Sequence, residues 1–315
     1  MKAASEPSRR PPRLKPGGTV AVAAPAAPFD AERFRSGIEV IREMGFRVVT
    51  PEGVYNRQGF LAGTDRQRAE LLQRFFADPS VDAVICARGG WGSMRVLPLL
   101  DFETISRTPK IFVGFSDVSA LLWVLHQRCL ITVFHGPMVL SLTDALASTR
   151  NALRAVLCGE ETVEVAATPG TVLHAGRAEG TVVCGNLTTL CHLVGTPFTP
   201  DLDGRILMLE DTGEAPYRID RMLTHMTMAG CFRGLRALAL GSFSDCGNRE
   251  EICRVFEEHF ADRDIPILAG FSVGHTEPNL TVPVGERAVL DTEAGTLRFL
   301  RPATLGGGMV KEGIE

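Results

Sequence analysis

The sequence predicts an α/β fold, and three observations carry this prediction. From Thr19 onward, short apolar segments alternate with segments whose apolar residues recur at helical spacing. The segment from Val81 to Ala87 is almost wholly apolar, as expected for a parallel strand that helices cover on both faces. The chain has 315 residues, which indicates about two domains at roughly 150 residues per domain. The alternation favours right-handed crossovers and a parallel sheet.

The N-terminal half contains five predicted strands with helices between them. The first strand begins at Thr19, and the helix that begins at Glu32 ends at Gly45, a residue type that commonly stops helices. A second amphipathic helix spans Asp65 to Ala77. The other predicted strands are FRVVT, VDAVICA, KIFVGFS and LITVFHG, and the other predicted helices are a short one ending at Leu100 and DVSALLWVLHQR.

A second unit begins near Gly180, after a region from about Ser141 in which the pattern loosens. Residues 159–180 are rich in Gly, Thr, Ala and Glu and predict short strands or a linker. In the second unit we predict strands in GTVVCGNL, RILMLED, RALALGSF and IPILAGF, helices in TTLCHLVG, APYRIDRMLTHMTMAG and EEICRVFEEHF, and a terminal hairpin in GERAVLDTEAGTLRFL. The predicted division is 1–17 flexible leader, 18–145 N-terminal domain, 146–179 linker, 180–305 C-terminal domain and 306–315 tail.

Composition excludes several function classes. The 33 basic and 37 acidic residues give a net charge of −4, which supplies no electrostatic reason to expect a nucleic acid partner. Aromatic residues make up only 7%, which leaves few platforms for stacking on single strands. No apolar run approaches the roughly 18–20 residues that a bilayer span requires, so we expect no membrane partner.

The eight cysteines do not indicate a disulfide framework or a metal site. They are dilute, and several lie inside apolar segments, where a free cysteine acts as a small hydrophobic residue. No C-x-x-C pair is present, which argues against structural zinc. The first 17 residues are basic and proline-rich without an apolar signal region, so nothing there is expected to be buried, and a reducing cytoplasm is the expected location.

A possible nucleophile lies where an apolar strand runs directly into a helix, at Gly114-Phe115-Ser116-Asp117. This arrangement puts the Ser116 hydroxyl at the carboxyl edge of a parallel sheet, where open α/β folds bind ligands. The segment is similar to a nucleophile elbow, although the second glycine of G-x-S-x-G is missing. The alternative is that Ser116 or Asp117 only caps the helix.

A glycine loop, Arg88-Gly89-Gly90-Trp91-Gly92, follows another predicted strand. Glycines there let backbone N–H groups approach an anion closely. The complete G-x-G-x-x-G spacing is absent, so a dinucleotide site is only weakly indicated. A loop that binds an oxyanion or a carboxylate beside Ser116 fits equally well.

A serine nucleophile requires a base and an acid that orients the base. His275 lies in a loop after a strand and can reach a cleft, while His135 ends a strand beside Gly136 and competes with it. We expect the carboxylates at the end of RILMLED to be exposed at a sheet edge rather than buried in mid-strand. Spacing alone does not choose the acid, for which the candidates are Glu210, Asp211 and Glu214.

Six ordered segments resemble the LD-carboxypeptidase family of serine peptidases, which includes muramoyl-tetrapeptide carboxypeptidases and microcin-immunity hydrolases. They are ARGGWGSMRVLPLLD, FVGFSDVSALL, FHGPM, GNLTTLCHLVGTP, ILMLEDTGEAPYRIDRML and GHTEPNLTVPVG. The resemblance extends from about Thr19 to Leu300 and implies a Rossmann-like N-terminal parallel-sheet domain with a smaller, β-rich C-terminal α/β domain.

The resemblance also implies a site between the two domains. It assigns the nucleophile to Ser116, the acid to Glu210 and the base to His275. The oxyanion hole would use the backbone N–H groups of Gly90 and Asp117. The implied reaction releases the terminal D-alanine of a murein tetrapeptide without a metal or organic cofactor, and the family tendency implies a homodimer.

Two positions depart from the family pattern. Cys184 stands where the family commonly has a glycine, and Trp91 replaces a tyrosine; Trp91 is expected to shape the substrate pocket. Arg88 either binds the substrate carboxylate or only braces the glycine loop. Two alternatives remain, namely a microcin-immunity-type hydrolase of peptidyl or aminoacyl nucleotides and a non-catalytic two-domain binder of small molecules.

Overall fold

A computed structural model describes residues 8–159, 162–169 and 171–306, and two sheets organise them. The first sheet has six strands in the order β12-β5-β4-β3-β1-β2. All its neighbouring pairs are parallel except β12–β5. Its strands are β1 (Thr19–Ala23), β2 (Arg47–Val49), β3 (Ala83–Cys86), β4 (Ile111–Gly114), β5 (Val133–His135) and β12 (Val282–Val284).

The second sheet has eight strands in the order β6-β14-β13-β8-β9-β10-β11-β7. Its four central strands, β8 to β11, run parallel to one another, and its outer strands pair antiparallel. The strands are β6 (Glu164–Ala166), β7 (Val172–His174), β8 (Arg177–Asn186), β9 (Arg205–Thr212), β10 (Ala237–Ser244), β11 (Ile267–Ala269), β13 (Arg287–Asp291) and β14 (Thr296–Phe299). The predicted α/β fold with two sheet domains is confirmed.

Ten α-helices connect these strands in the described part of the chain. They are α1 (Ala31–Glu43), α2 (Asp65–Ala77), α3 (Ser93–Val96), α4 (Phe102–Arg107), α5 (Ser119–Cys129), α6 (Val139–Leu142), α7 (Ala147–Cys158), α8 (Leu187–His192), α9 (Pro216–Met228) and α10 (Arg249–Phe260). The carboxylate of Asp30 caps α1, and Thr64 with Gln67 forms a capping box on α2. These caps fix where the two predicted helices begin.

Helix α5 joins the two sheets into one structure. Nine of its residues are buried, and they include Trp123, whose indole Nε1 donates to the carbonyl of Phe198 over 2.9 Å. The hydrophobic core around α5 runs without interruption from the first sheet to the second. A helix that is apolar all round belongs in an interior, so α5 fixes the two sheets against each other.

The predicted leader and linker differ from what the structure shows. Leu14 is 1% exposed, and the backbone N–H groups of Arg9 and Thr132 donate to the carbonyls of Leu130 and Arg9. The expectation that nothing in the leader is buried is therefore wrong for residues 8–17. A single leucine among prolines and arginines has no periodicity, so the pattern could not reveal it. Residues 1–7 and the predicted tail from 307 lie outside the described residues.

The predicted linker, 146–179, contains α7 and the strands β6 and β7. Helix α7 buries Leu153 and Leu157 in the core beneath the first sheet. The segment Val282–Val284, predicted within the C-terminal domain, instead joins the first sheet beside β5. The chain thus crosses between the sheets three times, twice more than the sequence division supposes.

Leu14→Ala should destabilise the fold by about 2–5 kcal/mol, because it leaves a cavity in a closed core. Denaturant unfolding of the purified variant measures this loss. Leu305→Ala is the matched control, since Leu305 is 43% exposed, and it should change the free energy of unfolding by less than about 0.5 kcal/mol. Equal stability of Leu14→Ala and the wild type would contradict the packing described for residues 8–17.

Candidate active site

Ser116 occupies a strained turn at the carboxyl end of β4. Its φ of 62° lies in the left-handed region that non-glycine residues seldom adopt. Gly114 makes the turn possible, because a Cβ there would lie 2.4 Å from Cγ1 of Val118. Such strain is concentrated at functional sites and resembles that of a nucleophile elbow. The turn separates the hydroxyl from the helix that follows and turns it toward the cleft.

The glycine loop packs directly against this turn. A Cβ on Gly89 would lie 3.0 Å from Oγ of Ser116 and 3.4 Å from the backbone N of Asp117. Gly90 has φ 111°, and a Cβ there would meet that of Ala27 at 2.6 Å. The N–H of Ser93 donates to Oδ2 of Asp117 over 2.9 Å and ties loop to turn. The loop backbone therefore borders Ser116 at a distance that no side chain would permit.

Ser116, His275 and Glu210 form one chain of hydrogen-bonding atoms. The Nε2 of His275 lies 3.2 Å from Oγ of Ser116, and its Nδ1 lies 2.6 Å from Oε2 of Glu210. The N–H of His275 also donates to the same carboxylate oxygen over 3.1 Å. Ser116 follows β4, His275 lies in the loop after β11, and Glu210 lies in β9. The structure brings together these three predicted residues.

His275 and Glu210 shift each other's pKa. Burial alone would lower the pKa of His275, but the hydrogen bond and negative charge of Glu210 outweigh it, and the net pKa is raised. Burial raises the pKa of Glu210, and the hydrogen bonds from His275 oppose that rise. Each group therefore stabilises the other's charge in a site where water contributes little.

The lack of a side chain at Gly274 leaves space for the carboxylate of Glu210. Its φ is 100°, and a Cβ there would lie 2.4 Å from Oε2 of Glu210. The N–H of Gly274 donates to Oδ1 of Asn279 over 3.0 Å, which closes the loop that carries His275. A glycine is needed at position 274 because the carboxylate of Glu210 lies in contact with the loop backbone there.

The two other acids that the spacing left open have other partners. Asp211 is buried and accepts from Nδ2 of Asn186 and from the backbone N–H and hydroxyl of Thr188. Asp211 therefore fixes the start of α8. Glu214 lies 3.5 Å from Arg218 in an ion pair on α9.

His135, the competing histidine, lies close to Glu210 but is not among the residues that line the cleft in front of Ser116. His135 is fully buried, and its Nε2 is 4.0 Å from Oε1 of Glu210. Burial, and secondarily the charge of His275, lowers the pKa of His135 to about 3. His135 is thus a neutral neighbour of the acid and has no contact with the cleft.

A cleft of about 420 Å³ opens in front of Ser116. Arg88, Gly90 and His275 line it, as the sequence analysis requires, but Trp91 is 68% exposed and is not among its lining residues. Sequence reasoning missed other lining residues. Their signal was position, because each follows the carboxyl end of a strand in the first sheet. Those after the first strand are Asp30 and Arg33, the one after the fourth is Phe115, and those after the fifth are Met138, Leu140 and Ser141.

Cys184, the departure from the family glycine, is a core residue of β8. It is 1% exposed and pairs in register with Met208 of β9. Burial, and then the charge of Glu210, raises the pKa of its thiol well above the ordinary value. The thiol is therefore kept protonated and apolar, which suits packing.

The described residues contain no candidate metal site and no candidate membrane-spanning helix. Across residues 8–306, apart from the gaps at 160–161 and 170, no three His, Cys, Asp or Glu side chains are grouped so that they could hold a metal ion. Within the same ranges, no helix is both long and apolar enough to cross a membrane.

Comparisons with known proteins match two long parts of the chain to one family. Residues 20–136 match the LD-carboxypeptidase N-terminal domain, and residues 179–290 match the LD-carboxypeptidase C-terminal domain. The murein tetrapeptide carboxypeptidase of Pseudomonas aeruginosa is 33% identical over 292 residues, which cover 87% of this chain and 93% of that protein.

Two further proteins are similar over most of the chain. The microcin C7 self-immunity protein of Escherichia coli is 26% identical over 308 residues, which cover 87% of this chain and 90% of that protein. A crystal structure of a muramoyltetrapeptide carboxypeptidase from Oxalobacter formigenes superposes with a TM-score of 0.80 and 30% identity, covering 89% of this chain and 97% of that one. By sequence and by fold, the chain belongs to the LD-carboxypeptidase family.

Proposed function

We propose that the chain is a cytoplasmic serine carboxypeptidase that hydrolyses the L,D-peptide bond before the terminal D-alanine of a murein tetrapeptide. The observation that carries the proposal is the unbroken series from Oγ of Ser116 through His275 to the buried carboxylate of Glu210. A hydroxyl on a strained turn, a base within 3.2 Å and an acid behind the base are the parts that acyl transfer requires. The name of the Pseudomonas aeruginosa relative supports the substrate class.

In acylation, Nε2 of His275 removes the proton of Ser116 while Oγ attacks the scissile carbonyl carbon. Glu210 accepts from Nδ1 of His275 and stabilises the imidazolium that forms. His275 then gives the proton to the departing nitrogen, so D-alanine leaves and the peptide remains as an ester on Ser116. Water then attacks the ester carbonyl carbon while Nε2 of His275 removes its proton. The C–Oγ bond breaks, His275 returns the proton to Oγ of Ser116, and the shortened peptide leaves as an acid.

The tetrahedral intermediates carry a negative oxygen, and the backbone N–H groups of Gly90 and Asp117 are the donors we assign to it. Their support is the close packing of the glycine loop on the turn, with 3.4 Å between a Cβ built on Gly89 and the N of Asp117. Donors that are fixed before the reaction cost no reorganisation, and each contributes about 2.7–4 kcal/mol in comparable sites.

Arg88 is the cation we assign to the terminal carboxylate of the substrate. It lines the cleft, and its only hydrogen bond recorded in the described part of the chain is a long one of 3.5 Å from Nη1 to the carbonyl of Pro28. The neighbouring Arg33 is paired with Asp144 over 2.5 Å. Arg88 is therefore better able than Arg33 to exchange its contacts for a carboxylate.

Ser116→Ala should lower the release of D-alanine from L-Ala-D-Glu-meso-diaminopimelate-D-Ala by at least about a thousandfold, because no other group supplies the nucleophile. Ser36→Ala, on the exposed face of α1, is the matched control and should keep wild-type turnover. Unchanged turnover by Ser116→Ala would exclude the serine mechanism. If the wild type instead cleaved only an aminoacyl sulfamoyl adenylate, a nucleotide-directed hydrolase would replace the carboxypeptidase.

The pH dependence of kcat/KM should show an acidic limb above pH 6.5, because only neutral His275 is a base and Glu210 raises its pKa from 6.5. Activity is therefore lost as pH falls through the raised pKa. Glu210→Gln removes the charge, so the limb should move to lower pH while kcat falls by about a hundredfold or more. Glu214→Gln, on the neighbouring loop, should leave both unchanged. If the acidic limb of Glu210→Gln stayed at the wild-type pH, Glu210 would not be the group that raises the pKa of His275.

Arg88→Ala should raise KM for the tetrapeptide by about tenfold or more with a smaller effect on kcat, because it removes a charge-assisted contact to the substrate. The same tetrapeptide with an amidated C-terminus distinguishes binding from bracing. It should be a poorer substrate than the acid for the wild type, and Arg88→Ala should process both at similar rates. Arg66→Ala, on the exposed face of α2, is the control. If Arg88→Ala still preferred the acid to the amidated peptide as strongly as the wild type does, Arg88 would only brace the glycine loop.

A further inference from the structure

Buried polar atoms without hydrogen-bond partners are concentrated behind the acid of the proposed triad. In the part of the chain that the structure describes, nine buried side-chain nitrogen and oxygen atoms have no partner. Six of them belong to residues of the loops and strand ends around Glu210. These atoms are both ring nitrogens of His135, Oε1 of Glu210, Oγ of Ser242, Nδ2 of Asn279 and Oγ1 of Thr281.

The geometry places these residues around one carboxylate. The Nε2 of His135 is 4.0 Å from Oε1 of Glu210. Thr281 precedes the strand residue that pairs with His135, and a Cβ on Gly136 would lie 2.7 Å from Oγ1 of Thr281. Oδ1 of Asn279 accepts from the N–H of Gly274, and the Cα of Gly274 packs against Glu210. His135 therefore borders Oε1 of Glu210, and Asn279 and Thr281 belong to the segment between Gly274 and β12.

The two oxygens of Glu210 are treated unequally. Oε2 accepts from both the backbone N–H and the Nδ1 of His275, whereas Oε1 accepts from nothing. A fully buried carboxylate keeps its charge only where donors replace the water it has lost. The ring nitrogen that lies 4.0 Å from Oε1 belongs to His135, a neutral histidine, which can supply a donor without adding a second positive charge.

We propose that His135 is a positioning residue whose Nε2–H donates to Oε1 of Glu210, directly after a small side-chain rotation or through one buried water. This bond keeps Glu210 ionised and aimed at His275, and the inference rests on the proposed serine mechanism. Packing explains the burial of His135, since its ring meets that of Phe115 edge to face at 5.9 Å, but packing leaves its nitrogens without a partner.

The charged and titratable neighbours of Glu210 determine the direction of the effect. They are His275 from the loop, Asp211 from its own strand, Cys184 from β8 and His135 from β5. Loss of the donor at Oε1 raises the free energy of the state in which Glu210 is charged and His275 neutral. It raises the free energy of the state with protonated His275 less, because the imidazolium then compensates the negative charge of Glu210. Proton uptake becomes easier, so the acidic limb moves to higher pH, opposite to its movement in Glu210→Gln.

The test compares three variants of His135 in the full chain. His135→Gln keeps a donor near the position of Nε2, whereas His135→Leu removes it, and His135→Asn retains a polar group that reaches only the position of Nδ1. Two pH profiles are measured for each, D-alanine release from the tetrapeptide and the rate at which a fluorophosphonate labels Ser116. Thermal unfolding identifies variants that have not folded, and Asn takes the place of Leu if the leucine variant is one of them.

The expected result is an acidic limb about one pH unit higher in His135→Leu and His135→Asn, with His135→Gln near the wild type in both profiles. Wild-type limbs in folded His135→Leu or His135→Asn would overturn the inference, and so would a Gln variant that matches Leu. The labelling profile needs no peptide. If the wild type releases no D-alanine while the labelling limb moves as expected, the proposed substrate fails and the role of His135 stands.

Discussion

The arrangement of the molecule depends on one contact between two sheets, the 3.2 Å approach of His275 Nε2 to Oγ of Ser116. The hydroxyl belongs to the end of a strand in the first sheet, and the imidazole and its acid belong to the second. A shift of about an ångström between the sheets would be enough to disable such a site. The fold must therefore hold two separate sheet edges in register.

Three structural features provide this register. The buried helix α5 begins immediately after the serine turn and packs against the second sheet, so the nucleophile and the inter-sheet core are covalently continuous. Strand β12 returns to pair with β5 just after the histidine loop. Within that loop, Glu277 accepts from the backbone N–H of Leu146 over 3.0 Å, and the N–H of Asn279 donates to Oγ1 of Thr149 over 2.9 Å. The loop is thus fastened to the helix that supports the first sheet.

Sequence reasoning recovered the features that leave a local signature. Apolar spacing located α1 and α2, Gly45 marked the end of α1, and the strand-to-helix junction at Ser116 indicated a nucleophile. Spacing could not choose among Glu210, Asp211 and Glu214, because that choice depends on which carboxylate meets a loop 65 residues later. The resemblance to a family made the choice, and the structure supplies its physical reason in the contact of Gly274 with Glu210.

Other features depend on long-range packing and left no local trace. Leu14 is buried by helix α7 and the first sheet, and β12 joins that sheet from the far end of the chain. His135 was considered only as a base, since a sequence does not show on which side of an acid a strand-end histidine will lie. Trp91 was expected near the substrate, but the loop turns its side chain to solvent, and the cleft is lined instead by residues such as Asp30 and Ser141.

The proposed mechanism depends above all on Ser116 as the nucleophile. The decisive measurement is to titrate the wild-type protein with a fluorophosphonate and to compare the fraction of Ser116 modified, by peptide mass mapping, with the fraction of D-alanine release lost. Both fractions should rise together, and activity should vanish when one phosphonyl group is bound per chain at Ser116. Activity that survives complete modification of Ser116, or is lost through modification of another residue, would contradict this mechanism.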